Sequence, residues 1–202
     1  MEITIDINKL AAMKLFAAKK DVRYYLNGML LEIGSRESRL VATDGHVMAI
    51  IRLDFCRPGP TQQVIIPIEA LKGIKRGRGD ATITLSDSGS NVVDLRIESP
   101  TWQWACQSVD AAYPDWRKVL PEKVSGEVAQ FNADYLAAFQ DAAVMLSGGL
   151  ITVGHNGTGG ALISINNDDF VGIIMPIRQK FEALTGSPAW ASESLEALQV
   201  AA

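Results

Sequence analysis

Histidine and cysteine are scarce: the 202 residues include two of each. Cys56 and Cys106 lie far apart, in neither a CxxC pair nor a Cys/His cluster. That spacing excludes a disulfide framework or a zinc module and leaves both as structural small hydrophobes. His46 and His155 have no metal-ligand partner at helical spacing, so a metal centre or a nucleophilic triad has little to work with. No apolar run approaches the roughly 20 residues that cross a bilayer. The opening MEITIDINKLAAMK has no basic segment leading into an apolar one. The expectation is a soluble, cytoplasmic protein with no membrane contact, no metal and no cofactor. An overall basic surplus is missing too, since the net charge is −4 and the pI about 5.2. What is present is an ordinary globular composition, 48% hydrophobic and 21% charged, in a chain long enough to bury about two thirds of its surface.

The chain repeats itself. Ile3-Thr4-Ile5-Asp6-Ile7 alternates as a half-buried strand should, and Asn8 offers an N-cap to the helical run KLAAMKLFAAKK, residues 9–20. The same order recurs at Val64-Ile65-Ile66, followed by Pro67 and the run IEALKGIKRG, residues 68–77. It recurs again at Val128-Ala129-Gln130-Phe131, followed by Asn132 as a cap and the run ADYLAAFQDAAVML, residues 133–146. The markers Ile3, Val64 and Val128 are 61 and 64 residues apart, a near-constant period that predicts three copies of one unit. After each helical run come three short apolar stretches with polar or glycine punctuation, which read as antiparallel hairpins. They cover residues 29–33, 39–43 and 47–53, then 81–85, 92–97 and 102–107, then 150–153, 161–165 and 170–175. Three strand-helix-strand-strand-strand units make an α+β protein with helices on one face of antiparallel sheets. The expected organisation is a two-unit domain over 1–112, a linker over 113–125, a single unit over 126–178 and a tail over 179–202. The linker belongs to the polar, proline-bounded stretch SVDAAYPDWRKVLP.

Charge is unevenly placed. Lys9, Lys14, Lys19 and Lys20 lie on the first helical run, and Lys72, Lys75, Arg76 and Arg78 on or just after the second. A basic helical layer on an acidic protein suits sequence-independent contact with a phosphate backbone, where counterion release supplies the energy. The plainer reading is a solvated helix face, and the third run, with Asp134 and Asp141 and no base, shows that the units differ. Asp44-Gly45-His46 is the best catalytic candidate, because an Asp two residues from a His can orient an imidazole base. No nucleophile or oxyanion motif accompanies it, so a turn or packing role is the stronger reading. The glycine-rich stretch 154–160 joins two predicted strands and leads into no helix, which makes it a hairpin turn and no phosphate cradle.

Three segments together resemble a known family. DVRYYLNGML at 21–30, followed by Val41-Ala42-Thr43-Asp44-Gly45-His46, is similar to the central domain of the bacterial DNA polymerase III beta sliding clamp. YPDWRKVLP at 113–121 resembles that family's connection from central to last domain, and Ile173-Ile174-Met175-Pro176-Ile177-Arg178 its C-terminal strand. The match runs over about residues 1–178. Family members have three domains of two units each, whereas the resemblance gives this chain three units, with no counterpart of the first domain and only the second half of the last.

The resemblance implies a non-catalytic DNA replication processivity factor. It would encircle or cradle double-stranded DNA without reading its sequence, and tether polymerase or repair proteins that insert a short peptide into an apolar pocket. The matching pocket positions are Leu26, Thr43, Gly45, His46, Val47, Met48, Pro114, Lys118, Val119, Ile173, Met175, Pro176, Ile177 and Arg178. Val47 and Lys118 stand where the family pattern has arginines, which removes fork-shaped donors and points to a different partner preference. Tyr24 and Tyr25 match a DNA-facing loop, though strand packing suits tyrosine equally. Four chains would supply the twelve units of a family ring, so the expected assembly is a homo-oligomer, with the tetramer as the count that fits a ring. The alternative is a truncated clamp mimic that binds clamp-interacting peptides or a host clamp without holding DNA.

Overall fold

The computed structural model describes residues 1–87, 89, 92–178, 186, 187 and 191. The expected tail, 179–202, therefore lies almost wholly outside the described residues. In chain order the elements are β1 (Glu2–Asp6), α1 (Ile7–Met13), β2 (Gly28–Ile33), β3 (Ser38–Thr43), β4 (Val47–Leu53), β5 (Gln62–Pro67) and β6 (Asp80–Asp87). Then follow β7 (Val93–Ser99), β8 (Trp102–Gln107), α2 (Ala133–Leu146), β9 (Ile151–Gly154), β10 (Ala161–Ile165) and β11 (Phe170–Ile174). Short 3-10 turns lie at Tyr24–Leu26, Ile68–Leu71 and Trp116–Val119. Every strand pairing is antiparallel, and the sheets run β1-β6-β7-β8 and β5-β2-β3-β4-β11-β10-β9. This is the α+β class that the repeat implied.

The first two units exchange their opening strands. β1 pairs with β6 of the second unit, and β5 pairs with β2 of the first. Alternation explains why both strands insert: Ile3 and Ile5 face the core from β1, and Val64 and Ile66 do so from β5. The third unit has no such opening strand among the described residues. The expected strand at 128–131 is irregular, with Val128 79% exposed, and 126–127 is tied instead to 155–157 through Gly126 N to His155 O and Gly157 N to Glu127 O. An opening strand needs a second unit's sheet to enter, and the described chain offers the third unit none.

Two helices differ from expectation. α1 begins two residues earlier than expected because Asp6 is the cap: its carboxylate accepts from Asn8 N at 2.7 Å. Beyond Met13 the turns tighten to Leu15 N–Ala12 O and Phe16 N–Met13 O bonds, and the helix stops. The second helical run shrinks to the single 3-10 turn Ile68–Leu71. Its next turn is pre-empted by close packing, since a Cβ on Gly73 would sit 2.0 Å from the Trp102 ring. Trp102 Nε1 donates to Ala70 O, and Lys14 Nζ donates to Leu71 O and Ile74 O, so side chains take the place of helical partners. α2 forms over the predicted residues, capped by Asn132 Oδ1 accepting from Asp134 N. Of the two cysteines, Cys106 is half-buried, whereas Cys56 is exposed rather than packed.

The third unit is spliced to the first by β4 and β11, with Ala49 opposite Gly172 and Met48 opposite Ile173. Above this ladder α1 and α2 meet through Phe16 and Phe139, whose ring centroids are 4.6 Å apart, with Phe170 beneath. Phe139→Ala removes a fully buried ring from this joint and is expected to cost about 3–5 kcal/mol in urea unfolding. Leu150→Ala, at a side chain 80% exposed, is expected to stay within about 0.5 kcal/mol.

Candidate peptide-binding site

The site starts from the turn between β3 and β4. Asp44 Oδ1 accepts from His46 N at 2.8 Å and Val47 N at 2.9 Å, Thr43 Oγ1 donates to Val47 O at 2.6 Å, and Gly45 N donates to Thr43 Oγ1. The Asp44 carboxylate is thus a turn-builder that binds backbone amides. Arg23 braces the turn, donating to Asp44 O while forming a two-pronged pair with Asp21. The Arg23 hydrogen bonds hold the Asp21 carboxyl down at about 2. The His46 ring stacks on Tyr135 of α2 at 6.1 Å, and its carbonyl accepts from Met175 N at 2.8 Å just beyond β11. Burial and the neighbouring Asp44 carboxylate push the Tyr135 phenol up to about 12.

The second wall comes from residues 108–120, which pack across the sheet face opposite the helices. Tyr113 and Trp116 join Leu30, Val41, Met48, Ile50, Ile65 and Ile173 in a separate apolar cluster. A buried carboxylate pins this wall. Glu32, 2% exposed, accepts both Arg117 guanidinium arms and Gln63 Nε2, with Arg39 Nη1 at 3.4 Å. The Arg117 guanidinium lies 4.0 Å from the Trp116 ring centroid. Burial pushes the Glu32 carboxyl up, but the Arg117 and Gln63 hydrogen bonds and the two arginine charges outweigh it and hold the group below its ordinary value.

Between the two walls lies a cavity of about 220 Å³. Of the fourteen expected pocket residues, Leu26, Thr43, Gly45, His46, Val47, Met48, Pro114, Val119, Ile173 and Met175 line it. Pro176, Ile177 and Arg178 line an adjoining, larger cavity of about 590 Å³ that shares Gly45, His46 and Met175. Lys118 lines neither: its side chain is 80% exposed and pairs with Asp115. Sequence reasoning missed Arg23, Tyr25, Tyr113, Asp115 and Trp116, which also line the smaller cavity. The signal was present in YPDWRKVLP, where two large aromatics sit in a stretch otherwise read as a connection. Tyr113 Oη and Trp116 Nε1 are buried without a hydrogen-bond partner among the described residues. Burial raises the Tyr113 phenol, and the nearby Thr43 amide offsets this in part without closing a hydrogen bond.

The expected DNA-facing bases divide. Lys9 Nζ donates to Arg52 O and lies 3.7 and 3.9 Å from Asp54 and Asp169. Lys14 is held by the carbonyls described above, and burial, with Lys75 and Lys19 nearby, lowers its amine. Lys19, Lys20, Lys72, Lys75, Arg76 and Arg78 are exposed, with Lys72 beside Glu69. Tyr25 belongs to the cavity wall, and the exposed Tyr24 donates to Asp110 O. No group of three or more His, Cys, Asp or Glu that would hold a metal occurs among the described residues, and no described helix is long and apolar enough to cross a membrane.

Exchanged opening strands, outer antiparallel sheets and a cavity at the splice between two units define a DNA-clamp architecture. Residues 6–115 match the family model described as DNA polymerase III beta subunit, central domain. The beta sliding clamp of Proteus mirabilis is 35% identical over 156 residues, which are 75% of this chain and 42% of that protein. That of Escherichia coli K12 is 34% identical over 139 residues, 66% of this chain and 36% of that protein. A crystal structure of the DNA polymerase III subunit beta from Pseudomonas aeruginosa superposes with a TM-score of 0.68 over 89% of this chain and 67% of that chain, at 23% identity, and so shares the fold. The chain belongs to the DNA polymerase III beta sliding-clamp family, and it spans less than half the length of these curated relatives.

The Glu32 cluster yields a pH prediction. Because the folded carboxyl is depressed, its stabilisation is fully present above the ordinary value near 4.5 and is lost as pH falls through the folded value. Glu32→Gln is therefore expected to lower stability at pH 7, with the gap to wild type closing as pH falls below 4.5, measured by denaturant unfolding across pH. A gap that is constant with pH would contradict the charged role of Glu32.

Proposed function

We propose that this chain is a non-catalytic, cytoplasmic, sliding-clamp-like processivity factor that cradles or encircles double-stranded DNA and tethers a polymerase or repair protein by a short peptide. The carrying observation is the apolar cavity at the β4·β11 splice, where ten of the expected pocket residues converge. Small and apolar walls with a flexible Met175 suit aliphatic or aromatic anchors. Val47 and Lys118, in place of arginines, favour a partner that leans on apolar anchors over acidic groups. The DNA-holding half of the reading is supported by the six exposed bases on and after α1 and on the 68–78 segment, which supply sequence-independent phosphate contacts. Three units per chain make four chains the natural count for a twelve-unit ring. The peptide raises its owner's effective concentration on DNA, and nothing is turned over.

A labelled clamp-binding peptide, followed by fluorescence anisotropy, tests the pocket. Met175→Ala and His46→Ala are each expected to weaken it about tenfold, equivalent to about 1.4 kcal/mol; unchanged affinity in both removes the pocket. Retention on closed circular DNA separates the clamp from a peptide-binding mimic. Lys72→Glu with Arg76→Glu abolishes retention if the basic face holds DNA, and a wild-type chain that never stays on circles favours the mimic.

A further inference from the structure

We propose that two copies of this chain exchange their opening strands: residues 128–131 of each leave their own unit and pair antiparallel with β9 of the other, so that two third units complete one another. This goes beyond the function proposed above, since it concerns how the third unit closes its own core. The first two units supply the rule. Neither β1 nor β5 enters the sheet strands of its own unit; each crosses to the other's, β1 beside β6 and β5 beside β2.

The rule extends to register. In both strands the inward side chains lie one and three residues before the cap that follows, Ile5 and Ile3 before Asp6, Ile66 and Val64 before Pro67. The residue next to the cap stands opposite the first inward residue of the receiving strand, Ile5 opposite Ala81 and Ile66 opposite Met29. The next inward pairs are Ile3 with Ile83 and Val64 with Leu31. All of these side chains are buried. Counting back from the Asn132 cap gives Phe131 and Ala129, and β9 presents Ile151 and Val153. These four are only half-buried, although Phe131, Ile151 and Val153 pack against the core. The same register sets the partner's Phe131 opposite Ile151, the partner's Ala129 opposite Val153, and the partner's Gln130 opposite Thr152 on the outward face. Neither VAQF nor ITVG carries a charge, so the exchange buries none.

Little holds the strand where it is. The backbone of 128–131 makes two hydrogen bonds among the described residues, Ala129 N to His155 Nδ1 at 3.3 Å and Ile177 N to Gln130 O at 2.8 Å. Just before it, Gly126 and Glu127 are tied to residues 155–157, beyond the end of β9. β9 itself pairs only with β10 among the described residues, so its other edge carries no strand. A four-residue antiparallel ladder, made once in each direction, supplies about eight backbone hydrogen bonds in place of these. The strand hinges at Asn132, so α2 keeps its Phe16–Phe139 contact with the first unit. Two identical units that trade the same strand are related by a two-fold axis, the closed form of domain swapping.

Cysteine cross-linking between two different chains tests this register. Gln130→Cys is placed in one chain and Thr152→Cys in another, with Cys56→Ser and Cys106→Ser in both, and the two are unfolded, refolded together and oxidised. Opposed ladder residues lie within disulfide reach, so the mixture is expected to give a covalent pair of about 44 kDa, twice the 21.8 kDa of the chain. Ser164→Cys in place of Thr152→Cys is the control. Ser164 is as exposed as Thr152 but lies on β10, one strand further in, which puts it about 10 Å from residue 130 of the partner and out of reach. The 130–152 link should exceed the 130–164 link at least about tenfold; equal yields, or no link, overturn the exchange and leave an observed oligomer to another surface. A wild-type monomer at every concentration by light scattering overturns both the exchange and the oligomer reading. A disulfide that closes within one chain carrying both Gln130→Cys and Thr152→Cys puts 128–131 on its own β9 and overturns the exchange alone. Amide exchange of the unmodified chain is the readout that needs no variant: 128–131 and 151–154 are expected to be protected as 62–67 and 28–33 are, and fast exchange in both contradicts the proposal.

Discussion

The antiparallel ladder between β4 and β11 is the constraint on which the rest depends. It places Gly172 opposite Ala49, and the bare backbone at Gly172 admits the Phe139 ring to a position where a Cβ would lie 2.2 Å from it. Phe139 then reaches Phe16, so α2 of the third unit packs on α1 of the first, and one core is shared by both sheets. The same ladder carries Met175 to the His46 carbonyl and closes the cavity between the β3–β4 turn and the end of β11. Helix packing on one face and the candidate site at the margin are thus two results of one strand pairing.

The opposite face of the seven-stranded sheet is organised by a charge. Glu32 lies in β2 between apolar neighbours, and an unpaired carboxylate there would be costly to bury. Arg117, Arg39 and Gln63 all turn toward it, and Arg117 brings Trp116 with it. A proline-bounded polar stretch, which alone has little reason to hold a shape, is in this way pressed onto the sheet as the second wall of the cavity. On the helix side the bases are sorted by their surroundings. Lys9 and Lys14 lie where carbonyls need a donor and serve the fold, while the others remain in solvent.

The parts of this arrangement legible in the sequence were those set by local pattern. Short apolar stretches with polar or glycine punctuation marked all nine hairpin strands to within two residues, and the cavity-lining residues within 43–48 and 173–178 were legible because a recognisable motif carried them. What escaped depends on distant partners. The exchange of β1 and β5 between units leaves no trace in either strand, since Ile3 and Ile5 alternate the same way whichever sheet they join. KLAAMKLFAAKK and IEALKGIKRG have helical spacing, but Phe16 is drawn into the inter-unit core and Trp102 lies against Gly73, so packing shortened both helices. Val128-Ala129-Gln130-Phe131 has strand character and no sheet to enter. Tyr113 and Trp116 were passed over because the carboxylate that fixes them lies more than 80 residues earlier.

The central claim is that the third unit and the first form one cooperative body, with the candidate site as their joint. Native-state amide hydrogen exchange read by mass spectrometry tests it most directly, since it reports the free energy of opening segment by segment. The account predicts that peptides covering residues 47–51 and 170–174 are protected as strongly as those covering 28–33 and 38–43, and that all lose protection together as denaturant is added. Residues 170–174 exchanging early, as a weak unit separate from 28–53, would contradict it.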